Sequence, residues 1–180
     1  MSTVIDGSAS VTINSGAILG ITSGTAVAST SGTSIDFTSI PSWVKRITVN
    51  FQNVGTNGTS TIMVQLGDSG GIETSGYSGA VTGIGAGGGV AQSSLSTGFQ
   101  LCDNLNHAAA ATWSGIMTIA LLDSSSNIFS ASGTFGRGDS AVTGIVGGVK
   151  SLSATLDRIR ITTIGGTNTF DAGSINILFE

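Results

Sequence analysis

The sequence predicts an all-β chain, an antiparallel β-sandwich of jelly-roll type preceded by an extended N-terminal arm. Three observations predict it: apolar residues alternate with polar ones in run after run, turn-forming clusters separate the runs, and no segment sustains a 3.6-residue period. Length and composition suit one such domain. Gly, Ser and Thr fill 78 of the 180 positions, yet 39% of residues are apolar and only 9% are charged, which excludes the apolar-poor, charge-rich make-up of a disordered chain. A single proline, Pro41, excludes collagen.

Residues 1–34 hold two short apolar patches, 11–13 and 17–21, in a Ser/Thr/Gly background. This segment buries little by itself and reads as an arm that needs a partner surface, or as a flexible leader. The sandwich is expected over residues 35–180. In its first strong run, Trp43, Ile47, Val49 and Phe51 share one face while Arg46, Thr48, Asn50 and Gln52 share the other. Residues 61–66 follow with Ile62, Val64 and Leu66 inward, reached through Asn57-Gly58, a strong hairpin signal, so these two strands are expected to pair. Further strands are expected at 97–102, 112–122, 128–135, 143–150, 156–164 and 174–179. The best helical candidate is residues 105–111. Both tryptophans, Trp43 and Trp113, read as core.

Residues 67–89 break the rhythm. They carry ten glycines and read as a long surface loop, with Asp68, Glu73 and Tyr77 as its polar or aromatic handles and the candidate binding residues of the chain. The alternative is that residues 72–77 add a short strand.

Charge and cysteine usage narrow the partners. Ten acids against six bases give a net charge of −4, and the bases form no stripe that would neutralise phosphates, so nucleic acid is not expected. One cysteine, Cys102, and one histidine, His107, cannot build a disulfide or a Cys/His zinc site, and no cofactor or metal is expected. No window is apolar enough for a membrane span, and the N-terminal residues lack the pattern of a signal peptide, so the expectation is a soluble product made in a cytoplasm.

Four motifs invite chemistry. Gly67-Asp68-Ser69-Gly70-Gly71 spells the pentapeptide around a serine-protease nucleophile, but the sole histidine lies downstream and the order Ser69, Asp103, His107 belongs to scaffolds rich in helices, so no catalytic residue is assigned. Gly83-Ile84-Gly85-Ala86-Gly87-Gly88 matches a dinucleotide fingerprint without the helix that gives it meaning. Arg137-Gly138-Asp139 and Asn57-Gly58-Thr59 read as turns. His107 reads as a surface or capping residue, and Cys102 as a small buried hydrophobe.

Several separated segments, Ile40-Pro41-Ser42-Trp43-Val44-Lys45-Arg46, Gly67-Asp68-Ser69-Gly70-Gly71-Ile72-Glu73 through Tyr77, Leu156-Asp157-Arg158-Ile159-Arg160, and Phe170-Asp171-Ala172-Gly173, taken together resemble tailed-bacteriophage virion structural proteins of the tail-fibre or decoration type. The resemblance covers residues 34–180. It implies a non-enzymatic virion component, a capsid decoration or a tail-fibre or appendage protein, attached through its N-terminal arm to capsid or tail proteins and working as a homo-oligomer, with a trimer favoured. A host-glycan-binding module acting through residues 67–89 is the alternative.

Overall fold

The computed structural model describes residues 11–13, 16–18 and 20–180. Sixteen strands and no helix occur among the described residues. In chain order they are β1 (Val11–Ile13), β2 (Gly16–Ile18), β3 (Thr22–Ser23), β4 (Val27–Ala28), β5 (Ser34–Phe37), β6 (Arg46–Thr56), β7 (Ile62–Asp68) and β8 (Gly71–Ile72). The second half adds β9 (Tyr77–Ile84), β10 (Val90–Ser94), β11 (Phe99–Gln100), β12 (Thr112–Asp123), β13 (Ile128–Arg137), β14 (Thr143–Ser151), β15 (Arg158–Thr163) and β16 (Phe170–Phe179).

Apart from the β1–β2 pair, the strands form two antiparallel sheets that make a β-sandwich. The nine-stranded sheet runs β10-β9-β14-β13-β12-β6-β16, with β3 and β4 both on the outer edge of β16. The five-stranded sheet runs β11-β7-β15-β5, with β8 on β7. Between them lies one apolar cluster. The large sheet contributes Val49, Phe51, Trp113, Met117, Ile119 and Phe135, and the small sheet contributes Phe37, Val64, Leu66, Ile159 and Ile161. Each such side chain, fully removed from water, stabilises the fold by about 1.5–3 kcal/mol before entropy is counted. Period-2 alternation puts these residues on one face, as Ile47, Val49 and Phe51 of β6 show: all three are buried, while Arg46 and Gln52 are exposed.

β7 departs from alternation because both of its faces are covered. Ile62, Val64 and Leu66 face the core, and the segment before β11 lies across Met63 and Gln65. Gln65 Nε2 donates to the Thr97 carbonyl at 2.8 Å, and Gly98 sits so close that a Cβ there would come within 2.8 Å of the Met63 sulfur.

Of the arm expected over residues 1–34, residues 22–29 run antiparallel along β16. Gly24 N donates to the Ile177 carbonyl at 2.8 Å, and buried Ser29 donates through N to Gly173 O at 2.9 Å and through Oγ to Ala172 O at 2.7 Å. Residues 1–10, 14, 15 and 19 of that segment lie outside the described residues.

The structure corrects four expectations about the fold. The strands over 43–51 and 61–66 do not pair: β6 bonds to β12 and β16, β7 bonds to β15 and β11, and the Asn57-Gly58 segment arches from one sheet to the other. Its two ends are tied to residues 168 and 169, with Asn57 N donating to Thr169 O and Ser60 N to Asn168 Oδ1. Residues 105–111 form turns instead of a helix, since seven residues, about two turns, are too few to repay helix nucleation. Trp43 stands in the turn before β6, 37% exposed, and packs its ring on Phe179 at 5.8 Å rather than entering the core. Residues 67–89 are mostly sheet: β9 and β10 form an antiparallel pair at the edge of the large sheet, and the alternative strand over 72–77 resolves into β8 ending at Ile72 and β9 starting at Tyr77.

Candidate functional site

Asp68, Glu73 and Tyr77 do come together, at the corner where the β7–β8 turn meets β9 and the connection between β14 and β15. The structure occupies each of them internally. Tyr77 is 5% exposed, with its ring edge-on to Phe99 at a centroid distance of 5.0 Å. Its hydroxyl accepts from Leu66 N at 2.7 Å and donates to the Glu73 carbonyl at 3.0 Å. Burial pushes the phenol pKa up, so the hydroxyl stays protonated.

Glu73 meets the ammonium of Lys150, itself buried, and accepts from Ser153 N at 2.7 Å through its other oxygen. Burial works to raise the Glu73 pKa, but Lys150 and the hydrogen bonds from Ser153 outweigh it and hold the carboxyl below its ordinary range. Asp68 accepts from Ser153 Oγ at 2.6 Å and from Gly70 N at 2.7 Å, and these two bonds lower its pKa. Lys150 also donates to Ser151 O at 2.6 Å and lies 5.5 Å from the centre of the Tyr77 ring. The result is a polar latch joining segments some eighty residues apart. Lys150 and Ser153 complete it; the alternation of β14 places Lys150 on the inward face, an odd position for a lone ammonium, and that is the one signal in the sequence that it must have a buried partner.

Ser69, Asp103 and His107 have separate surroundings. Ser69 is exposed at the tip of the β7–β8 turn. Asp103 closes its own turn: Oδ1 accepts from Leu105 N at 2.8 Å, and Oδ2 accepts from Asn106 Nδ2 at 2.7 Å and from the Cys102 thiol at 3.4 Å. His107 is buried rather than on the surface, stacked on Trp113, and its Nδ1 accepts from Trp113 Nε1 at 3.0 Å. That bond fixes the neutral tautomer with the proton on Nε2. Burial, with the nearby Arg137 charge, drives the His107 pKa down to about 4. Cys102 is fully buried as expected, and burial followed by the Asp103 charge pushes its thiol up to about 12.

The Arg137-Gly138-Asp139 tripeptide folds on itself. Arg137 grips both Asp139 oxygens at 2.7 Å and donates to Asn106 O at 2.9 Å. It borders an open hollow of about 410 Å³ with Gly85, Ala86, Asn106 and Ser140 on its walls. The Gly83–Gly88 run is the end of β9 and a following turn, with Gly88 N donating to Gly85 O at 3.1 Å. Asn57 Oδ1 accepts from Thr169 N at 2.9 Å. Among the described residues no three His, Cys, Asp or Glu side chains gather as a metal site, and no helix is long and apolar enough to cross a membrane. No family model, no curated protein and no solved structure matches this chain.

Proposed function

We propose that this chain is a non-enzymatic structural protein of a bacteriophage virion, a capsid decoration or a tail-fibre or appendage component, and that it works as a homo-oligomer with a trimer favoured. The observation that carries the reading is how the sandwich divides its polar groups. Five of the six bases pair with an acid within the chain, Arg160–Asp36, Arg158–Asp157 and Arg137–Asp139 among them, while the outer face of the nine-stranded sheet is built mainly of Ser, Thr, Ala, Ile and Val with the uncharged Asn50, Gln52 and Asn176. Such a block is rigid and keeps few long charged side chains that would cost entropy to order at a subunit contact.

The winding supports the jelly-roll reading. The chain passes from the small sheet at β5 to the large at β6, back at β7, across at β9, back at β11, across at β12 and back at β15, which sets the small sheet in the order β11-β7-β15-β5. On that plan β12, β13 and β14 fill one strand position with a three-strand meander. Of residues 1–34, those before β3 supply the docking segment for capsid or tail proteins, because residues 22–29 are bonded along β16, and the protein resides in the virion. The glycan-binding alternative draws less support, because the Tyr77 ring and the Glu73 carboxylate it relied on are committed to the latch.

The test is add-back. Particles assembled by a phage lacking this gene are mixed with purified protein and sedimented. The reading expects saturable co-sedimentation, with loss of binding when residues 1–19 are removed; protein that stays in the supernatant at every ratio refutes it.

A further inference from the structure

On the seven long and edge strands of the nine-stranded sheet, β6, β9, β10, β12, β13, β14 and β16, the charged residues are Arg46, Asp123, Arg137 and Asp171, all close to strand ends, and Lys150, which points inward and is buried. The middle of the outward face therefore carries no charge. One row across it reads Asn50, Ile116, Thr134, Ile145, Thr82, each residue paired with the next in the ladder. Ile116 is 50% exposed and Ile145 is 44% exposed, and Val149, Ile84 and Val90 add further apolar surface on the same side.

The face has both relief and size. Ile116 on β12 and Ile145 on β14 stand two strand spacings apart, about 9.6 Å. Between them β13 offers only Ser132, Gly133 and Thr134, leaving a hollow of about 330 Å³. One surface thus supplies an apolar ridge and the trough that would receive it, the requirement for a patch that meets its own copy. The six strands from β9 to β16 span about 29 Å by about 25 Å, a projected area of about 700 Å², close to the roughly 800 Å² that each partner gives to a standard interface. Nothing charged in the middle of the face is stripped of water when two such faces meet, and the Ser and Thr hydroxyls both donate and accept, so they can pair with one another. The small sheet's outer face, with its Arg160–Asp36 and Arg158–Asp157 pairs, offers no comparable surface.

We infer that the outer face of the nine-stranded sheet, centred on Ile116, Thr134 and Ile145, is the surface through which one copy of this chain packs on a second copy. The inference rests on the homo-oligomer reading above and adds the place of contact. Native mass by light scattering tests it on the full chain, on Ile116→Lys and Ile145→Lys, and on Leu105→Lys, an 86%-exposed site off the sheet, as control. Thr134→Asp serves if either lysine variant loses its circular dichroism. The expected result is a parent and a control of two chain masses, since one face meeting its own copy joins two chains, and face variants whose dissociation constants rise at least tenfold, to monomers at micromolar concentration. Face variants that keep the parental mass overturn the inference while leaving the oligomer reading intact, as does a control that falls apart with them. A monomeric parent overturns both.

Discussion

Tyr77→Phe separates a structural role for the latch from a binding role. The substitution keeps the ring on Phe99 and removes one oxygen, which accepts from Leu66 N at 2.7 Å and donates to Glu73 O at 3.0 Å. Without it, a buried backbone N–H of β7 loses its acceptor. Leaving such a donor unsatisfied costs about 1–3 kcal/mol, and losing the bond to the Glu73 carbonyl brings the expected total to about 2–3 kcal/mol. For a chain of this size each kcal/mol shifts Tm by about 2–4 °C, so Tyr77→Phe should melt about 4–12 °C lower. Urea unfolding followed by tryptophan fluorescence and by far-UV circular dichroism supplies the number, with an m-value equal to the parent's. A variant within about 0.5 kcal/mol of the parent refutes the latch, because that is the behaviour of an exposed side chain held ready for a ligand.

Two buried groups and one glycine of positive φ carry three further predictions. His107 accepts from Trp113 only when neutral, and its pKa is lowered to about 4, so the unfolded chain binds the proton first; stability is full above the ordinary histidine pKa and falls as pH drops from about 6.5 towards 4, by about 2 kcal/mol at pH 5. His107→Gln should flatten that interval in urea midpoints measured against pH, and an unchanged slope contradicts the assignment. Cys102, fully buried with its thiol pushed up to about 12, should resist a thiol reagent in the native protein and react on unfolding; rapid native labelling would show the site to be open. Gly173 has φ of +86° at a register shift in β16 opposite β6, and a Cβ there would overlap the Gln52 carbonyl, so Gly173→Ala should destabilise by at least about 2 kcal/mol in the same urea assay; a neutral effect would mean that the bulge relaxes freely.

What the sequence reveals and what it hides have separate physical reasons. Alternation in β6 identifies its buried face correctly, because side-chain direction in a strand is a local property. Alternation carries no record of which sheet a strand joins, so Asn57-Gly58 looks like a hairpin although it spans the sandwich. Glycine misleads over residues 67–89. In β9 it marks close approach instead of a loop: a Cβ on Gly83 would overlap the Asp103 carboxylate, and one on Gly79 would overlap the Gly147 carbonyl. The convergence of Asp68, Glu73 and Tyr77 with Lys150 and Ser153 is set by tertiary packing, and no local pattern spells a contact across some eighty residues. Trp113 and His107, six positions apart, gave no sign of their hydrogen bond because a turn, not a repeating element, brings them together.

On the function proposed above, this sandwich is a repeated building block of a particle. The most direct measurement is quantitative mass spectrometry across a density gradient of particles from the organism that encodes the chain. The chain is expected to band with intact particles, in a fixed ratio to the major capsid or tail protein that corresponds to two or three copies, or a multiple of them, per attachment site. A chain found only in the soluble fractions, or in a ratio that varies between preparations, contradicts it.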